Sequence, residues 1–136
     1  MASIGPLGGT VLAGLILVAA IADRIVAQEA RTTLSGVYTL AQAEKGEDVY
    51  YGSCVNCHPK GTYAGEGFKA NWGGRPLSDL YDWVKTKMPK SDPGTLTPNQ
   101  SVQVMAYILQ QNKMPPGPTP MPTDRAVLGT IKIQLK

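Results

Sequence analysis

Histidine, phenylalanine and cysteine are nearly absent: the 136 residues hold one His, one Phe and two Cys. Two cysteines cannot build a disulfide framework, and two cysteines with one histidine cannot close a four-ligand structural zinc site. Charge is thin as well, with 13 basic and 10 acidic side chains, 17% of the chain, and a formal net charge of +3. So mild a surplus does not point to nucleic acid. Aromatics make up only 7%, and no internal repeat is visible. The hydrophobic share of 43% nevertheless excludes a disordered polar chain, and its balance with charge excludes a multi-pass membrane protein. A protein-only core at this size is modest, which leaves room for something else to fill it. Glycine (15) and proline (11) are plentiful.

The one long apolar run lies at the N-terminus. Ile4 to Ala22 is an uncharged stretch of 19 residues, ended by Asp23 and Arg24. The small residues Ala20 and Ala22 suit a cleaved secretory signal within 1–27, and the pair Ile25 and Ala27 suits it less well. The run is also just long enough for a single membrane anchor of about 20 residues. Glycines at 5, 8, 9 and 14 weaken the anchor, and neither reading has a basic flank before Arg24. Both place the rest of the chain across a membrane, in the periplasm, with residues 4–22 as a tether if they are retained.

Residues 28–38 are polar and irregular and are expected to form a linker. Thr39 to Tyr51 is expected to be a helix, with Thr39 and Gln42 forming a capping box. Residues 59–76 carry Gly61, Gly65, Gly67, Gly73 and Gly74 without a period, the pattern of a long loop that wraps or binds something. Ser78 is expected to cap a short helix from Asp79 to about Lys87, and 89–97 is turn-rich. Thr97 caps a third helix, with Pro98 at its first position, Gln100 completing a second capping box and Asn112 as its stop. From Met114 to Pro122 five of nine residues are proline, an extended tail from about residue 113. Ile131, Ile133 and Leu135 alternate, as in a short extended segment packed along a domain. The fold class expected is therefore all-α, with three main helices, long loops and little sheet.

Cys54-Val55-Asn56-Cys57-His58 is a C-x-x-C-H pattern. Two thiols three positions apart on a helical turn can each bond one vinyl group of the same haem, and the next residue is then held under the iron, where His58 can ligate it. A thioredoxin-type redox pair would need a strand–helix alternation that the chain lacks. A lone histidine is ordinarily a packed core residue, but this one follows the second cysteine directly in a chain with an export leader. The cofactor expected is one covalently attached haem c. Its sixth ligand decides what the site does: a thioether sulfur raises the reduction potential and closes the iron to small ligands. Met88, at the end of the short helix and just before Pro89, is the foremost candidate. Met114 is next, and Met105, mid-helix among apolar residues, reads as core.

At these residues the chain resembles the class I c-type cytochromes, and most of all the small monohaem cytochromes of bacteria that accompany quinoprotein dehydrogenases. The likeness spans about 37 to 135, so that 39–136 would be the cytochrome domain. It is carried by Ala43-Glu44-Lys45-Gly46-Glu47-Asp48-Val49-Tyr50 running into CVNCH, by Lys87-Met88-Pro89 and by Ala106-Tyr107-Ile108-Leu109. The resemblance implies a crossing of the N- and C-terminal helices with Gly46 and Tyr50 opposite Tyr107. It also implies a proline carbonyl, about a dozen residues after the histidine, to accept the ligand's ring N–H. No proline lies between Lys60 and Arg75, so the acceptor is unidentified.

Trp72, Arg75 and Tyr63 carry donors suited to haem propionates, Arg75 being the natural match for a carboxylate. From His58 to Lys90 the chain holds six basic and three acidic residues, and Lys85, Lys87 and Lys90 bracket Met88. These lysines are expected either to steer an acidic redox partner to the haem edge or to form a solvated corner. The function expected is electron transfer without enzymatic turnover. The resemblance implies a dehydrogenase donor and an oxidase or later cytochrome as acceptor. A ligand-binding or sensing haem protein is the alternative if the sixth ligand is labile; a peroxidase-like activity would lack a distal acid–base pair.

Overall fold

The computed structural model describes Met1 and residues 31–136. The leader over 4–22, its cleavage positions and the first part of the expected linker lie outside the described residues. Five helices follow in order: α1 (Leu40–Ser53), α2 (Glu66–Trp72), α3 (Leu77–Lys87), α4 (Pro98–Gln111) and α5 (Arg125–Gly129), preceded by a 3-10 turn at Thr33–Ser35. The described residues form no strand, only two isolated bridges. The fold class is all-α.

Two helices start where their local chemistry demands. Thr39 accepts from the Gln42 amide while the Gln42 side chain accepts from the Thr39 amide, and Thr97 and Gln100 do the same at α4 with Pro98 at its first position. Each cap satisfies amides with no intrahelical partner, worth about 1 kcal/mol. The Gln42 side chain also pairs with the backbone N–H and carbonyl of Met121, at 2.7 and 2.9 Å. The capping residue of α1 thus fastens the proline-rich tail as well.

α1 buries a single stripe, Ala43, Gly46 and Tyr50, at helical spacing. That stripe lies across α4, which is buried on nearly every side from Ser101 to Leu109. At Gly46 the two backbones meet so closely that a Cβ would collide with the Gln103 carbonyl and stand 3.1 Å from Tyr107 Cβ. One turn on, the Tyr50 and Tyr107 rings pack 5.2 Å apart. The Tyr107 hydroxyl is buried without a hydrogen-bond partner among the described residues. Burial first, then the nearby Glu47 charge, push its pKa up to about 12, so it stays neutral in any ordinary buffer.

Three expectations need correction. Residues 31–38 do not form a linker: Thr33, Val37 and Tyr38 are buried. The cause is the C-terminal segment, which threads between 31–33 and 74–77. Lys132 N–H donates to Arg31 O and Thr33 N–H to Lys132 O, both at 2.9 Å, while Leu77 N–H donates to Ile131 O at 2.8 Å and Ile133 N–H to Arg75 O at 2.9 Å. Ile131 and Ile133 accordingly point inward and Lys132 outward. The loop over 59–76 contains α2, anchored by Phe68, which is only 2% exposed. Finally, Ser78 does not cap the third of the helices. α3 begins at Leu77 after Pro76 without a side-chain cap, Ser78 is buried inside it, and the Leu77 amide is satisfied by Ile131 from far along the chain.

Candidate functional site

A cleft of about 720 Å³, part of it open to solvent, lies between the end of α1, the segment 57–72, α3 and α4. Its walls are mostly apolar: Phe68 from α2, Leu80 and Val84 from α3, Leu96, and Val104 and Ile108 from α4.

The sulfur and imidazole groups come from two stretches of chain, 54–58 and 88–90. Cys54 is the C-cap residue of α1, its N–H donating to Tyr50 O at 2.8 Å. The chain continues in tight turns, with Cys57 N–H donating to Cys54 O at 3.1 Å and His58 N–H to the same carbonyl at 2.8 Å. The C-x-x-C-H spacing is thereby wound into one compact unit, and Cys54, Cys57 and His58 all line the cleft. Tyr50 Oη donates to His58 O at 2.7 Å, fastening this unit to α1. Both cysteines are free thiols, Cys54 half-buried and Cys57 exposed. Burial pushes the Cys54 thiol above its ordinary pKa, so it rests protonated.

Met88 is the C-cap residue of α3 and lines the same cleft. The other methionines do not: Met105, Met114 and Met121 are buried in the core and Met1 is fully exposed. Met114 is buried in the core outside the cleft lining, where Tyr38 Oη donates to its carbonyl at 2.6 Å.

The three residues expected to serve as anion donors part company. Trp72, the last residue of α2, lines the cleft and packs edge-on against Trp83 at 6.4 Å. Arg75 stands outside the lining, its guanidinium pairing with Asp79 at 2.9 Å and lying over the Trp72 ring at 4.7 Å. Its Nε also donates to Asp79 and its Nη1 to the Asn71 carbonyl. Tyr63 also takes another place: its hydroxyl is 3.1 Å from each ring nitrogen of His58. The tie from Asn112 that holds Tyr63 leaves no local signal in the sequence, since it joins residues 49 apart.

At the mouth, exposed Trp83 and Lys90 line the cleft. Lys85 is tied back to the Gly94 carbonyl at 3.1 Å, and Lys87 is exposed on the last turn of α3. Two thiols, an imidazole and a thioether thus line one apolar space, a donor set able to bond covalently to a group and to ligate a metal that it carries. No family model, curated protein or solved structure matches the chain.

Proposed function

We propose that the chain is a monohaem c-type cytochrome of the class I kind, which carries single electrons between redox proteins. The observation that carries the reading is the place of Met88: alone among the methionines it shares a cleft with Cys54, Cys57 and His58. Covalent attachment needs no outside oxidant, because each thiol adds its sulfur and hydrogen across one vinyl double bond. Bound in the cleft, the haem iron supplies a one-electron ferric/ferrous couple. The chain's residues do the rest. His58 and Met88 would hold the iron and leave no seat for a substrate. Phe68, Leu80, Val84, Leu96, Val104 and Ile108 keep water from the walls, which disfavours the more highly charged ferric state and raises the potential together with the thioether. Trp72 offers an indole N–H in the lining for a propionate.

The test is the visible spectrum of the ferric protein exported with its haem. Wild type is expected to show the weak long-wavelength sulfur-to-iron charge-transfer band, and Met88→Ala is expected to lose it while remaining covalently loaded. A wild-type protein without that band would have an open or differently filled sixth position, and ligand binding or sensing would replace electron transfer as the better reading.

The lysines bear on the partner. Lys90 at the mouth and Lys87 beside it face solvent, and the segment from His58 to Lys90 carries the surplus of basic residues. An acidic redox protein would be steered to this face, an effect on encounter rate that salt screens. The second-order rate of electron exchange with such a partner is expected to fall several-fold as salt rises from about 10 to 150 mM, with Lys90→Glu flattening the dependence. A wild-type rate indifferent to ionic strength would remove the steering role.

A further inference from the structure

We propose that Tyr63 is the positioning residue of His58, its hydroxyl accepting the hydrogen bond from whichever ring nitrogen the iron leaves free, and that Asn112 holds it there. The inference rests on the haem reading above. A ligating imidazole commits one nitrogen to the metal and carries a proton on the other. The partner of that proton fixes the ring's orientation and tunes the ligand's basicity. Among the described residues the only hydrogen-bonding group at the His58 ring is Tyr63 Oη, 3.1 Å from Nδ1 and 3.1 Å from Nε2. On a metal-bound ring only one of these contacts can become an N–H pair; at equal distances the oxygen lies off both N–H axes, and a turn of the imidazole about its Cβ–Cγ bond brings the N–H of the free nitrogen onto it.

Tyr63 is not free to drift. Asn112, the C-cap residue of α4, donates from Nδ2 to the Tyr63 carbonyl at 2.7 Å and to the Ile108 carbonyl at 2.8 Å. Its Oδ1 accepts from the Gly65 amide at 3.0 Å. Both halves of one amide thus staple the turn at 63–65 to the end of α4. The Tyr63 ring lies 4.9 Å from the imidazole, tilted by 54°. His58 is consequently held by its carbonyl from α1 through Tyr50 and by its ring from α4 through Tyr63. The two helices that cross at Gly46 converge on the same residue. The phenolic oxygen takes the part for which the segment after Lys60 supplies no proline carbonyl.

Accepting the ring proton makes the imidazole a stronger electron donor, which favours ferric over ferrous iron. Tyr63→Phe keeps the ring and removes the acceptor. In the full haem-loaded protein it is expected to shift the ferric–ferrous equilibrium about tenfold toward ferrous, about 59 mV upward for a one-electron couple. The His58 ring N–H proton, followed by NMR in the ferrous protein, is expected to exchange with solvent at least about tenfold faster. Asn112→Ala keeps the hydroxyl but frees the turn, and is expected to shift the potential in the same direction by less; it decides the matter if Tyr63→Phe does not load haem. Unchanged potential and unchanged N–H exchange in the variants would overturn the role of Tyr63 while leaving the haem reading intact. A wild-type chain whose mass and spectrum show no covalent haem would overturn the reading beneath it.

Discussion

On the proposed haem reading, a chain in which Cys54 and Cys57 are both replaced by serine carries no haem and is expected to lose cooperative unfolding. Far-UV circular dichroism should show much of the helix signal gone at room temperature and no sharp thermal transition. The reason lies in the walls of the cleft. Phe68, Leu80, Val84, Leu96, Val104 and Ile108 belong to the hydrophobic core, yet each presents a face to the cleft. Full burial of such a side chain is worth about 1.5–3 kcal/mol, and a gap leaves its wall atoms without contact partners. Losing a third of that at six wall residues amounts to about 3–6 kcal/mol, against a total stability of roughly 5–15 kcal/mol for a whole domain. Water cannot make up the difference, because the lining offers it few polar partners. α2 would be the first casualty: it is seven residues long, has no side-chain cap, and is anchored by Phe68 and Trp72, both of which face the cleft. A cysteine-free chain that melts sharply and keeps its helices would show that the cleft is stable empty, and the dependence of the fold on a bound group would be refuted.

The same residues explain which features are legible in the sequence. The starts of α1 and α4 are written locally, in Thr39 with Gln42 and in Thr97 with Pro98 and Gln100, so neighbours within four positions decide them. The C-x-x-C-H unit is equally local, its turns closed by hydrogen bonds between residues at most five apart. What stays hidden is set by distant chain. Leu77 opens α3 because Ile131 satisfies its amide, and 31–38 is ordered because Lys132 pairs with it. Neither contact leaves a mark in the sequence near those elements. α2 has a faint mark, Phe68 and Trp72 at i, i+4 with Glu66 in the first turn and Lys69 in the last, hidden among glycines with no period of their own. Charge type alone suits Arg75 to a propionate; its pairing with Asp79, four residues on, is the contact that the structure adds. Donor chemistry likewise suits Tyr63 to an anion, whereas its neighbour five residues back is the imidazole.

The crossing of α1 and α4 should respond most sharply to a single methyl group. Gly46→Ala is expected to destabilise the protein by about 3 kcal/mol or more, lowering its melting temperature by roughly 12–24 °C. Helix propensity argues the other way, since alanine is favoured over glycine by about 1 kcal/mol in a helix interior. Geometry outweighs it. The added Cβ meets the carbonyl of Gln103, a backbone group fixed within α4, and also approaches Tyr107 Cβ at 3.1 Å. Relief requires the two helices to separate, which uncovers Ala43 and Tyr50 on one side and Tyr107 on the other. Gly52, in the same helix but with nothing within 4 Å of its would-be Cβ, is the matched control. Gly52→Ala is expected to be neutral or to stabilise by about 0.5 kcal/mol through the unfolded state. Equal melting temperatures for the two variants would mean that the crossing tolerates a side chain and that the close approach is not a constraint. The damage should also reach the site: Tyr50 lies one turn beyond Gly46, and its hydroxyl holds the His58 carbonyl at 2.7 Å. A shift of α1 against α4 therefore pulls on His58 from the α1 side while Tyr63, stapled to α4, holds its ring. Gly46→Ala is for this reason expected to weaken the Met88 charge-transfer band at temperatures where the Gly52→Ala protein still shows it in full.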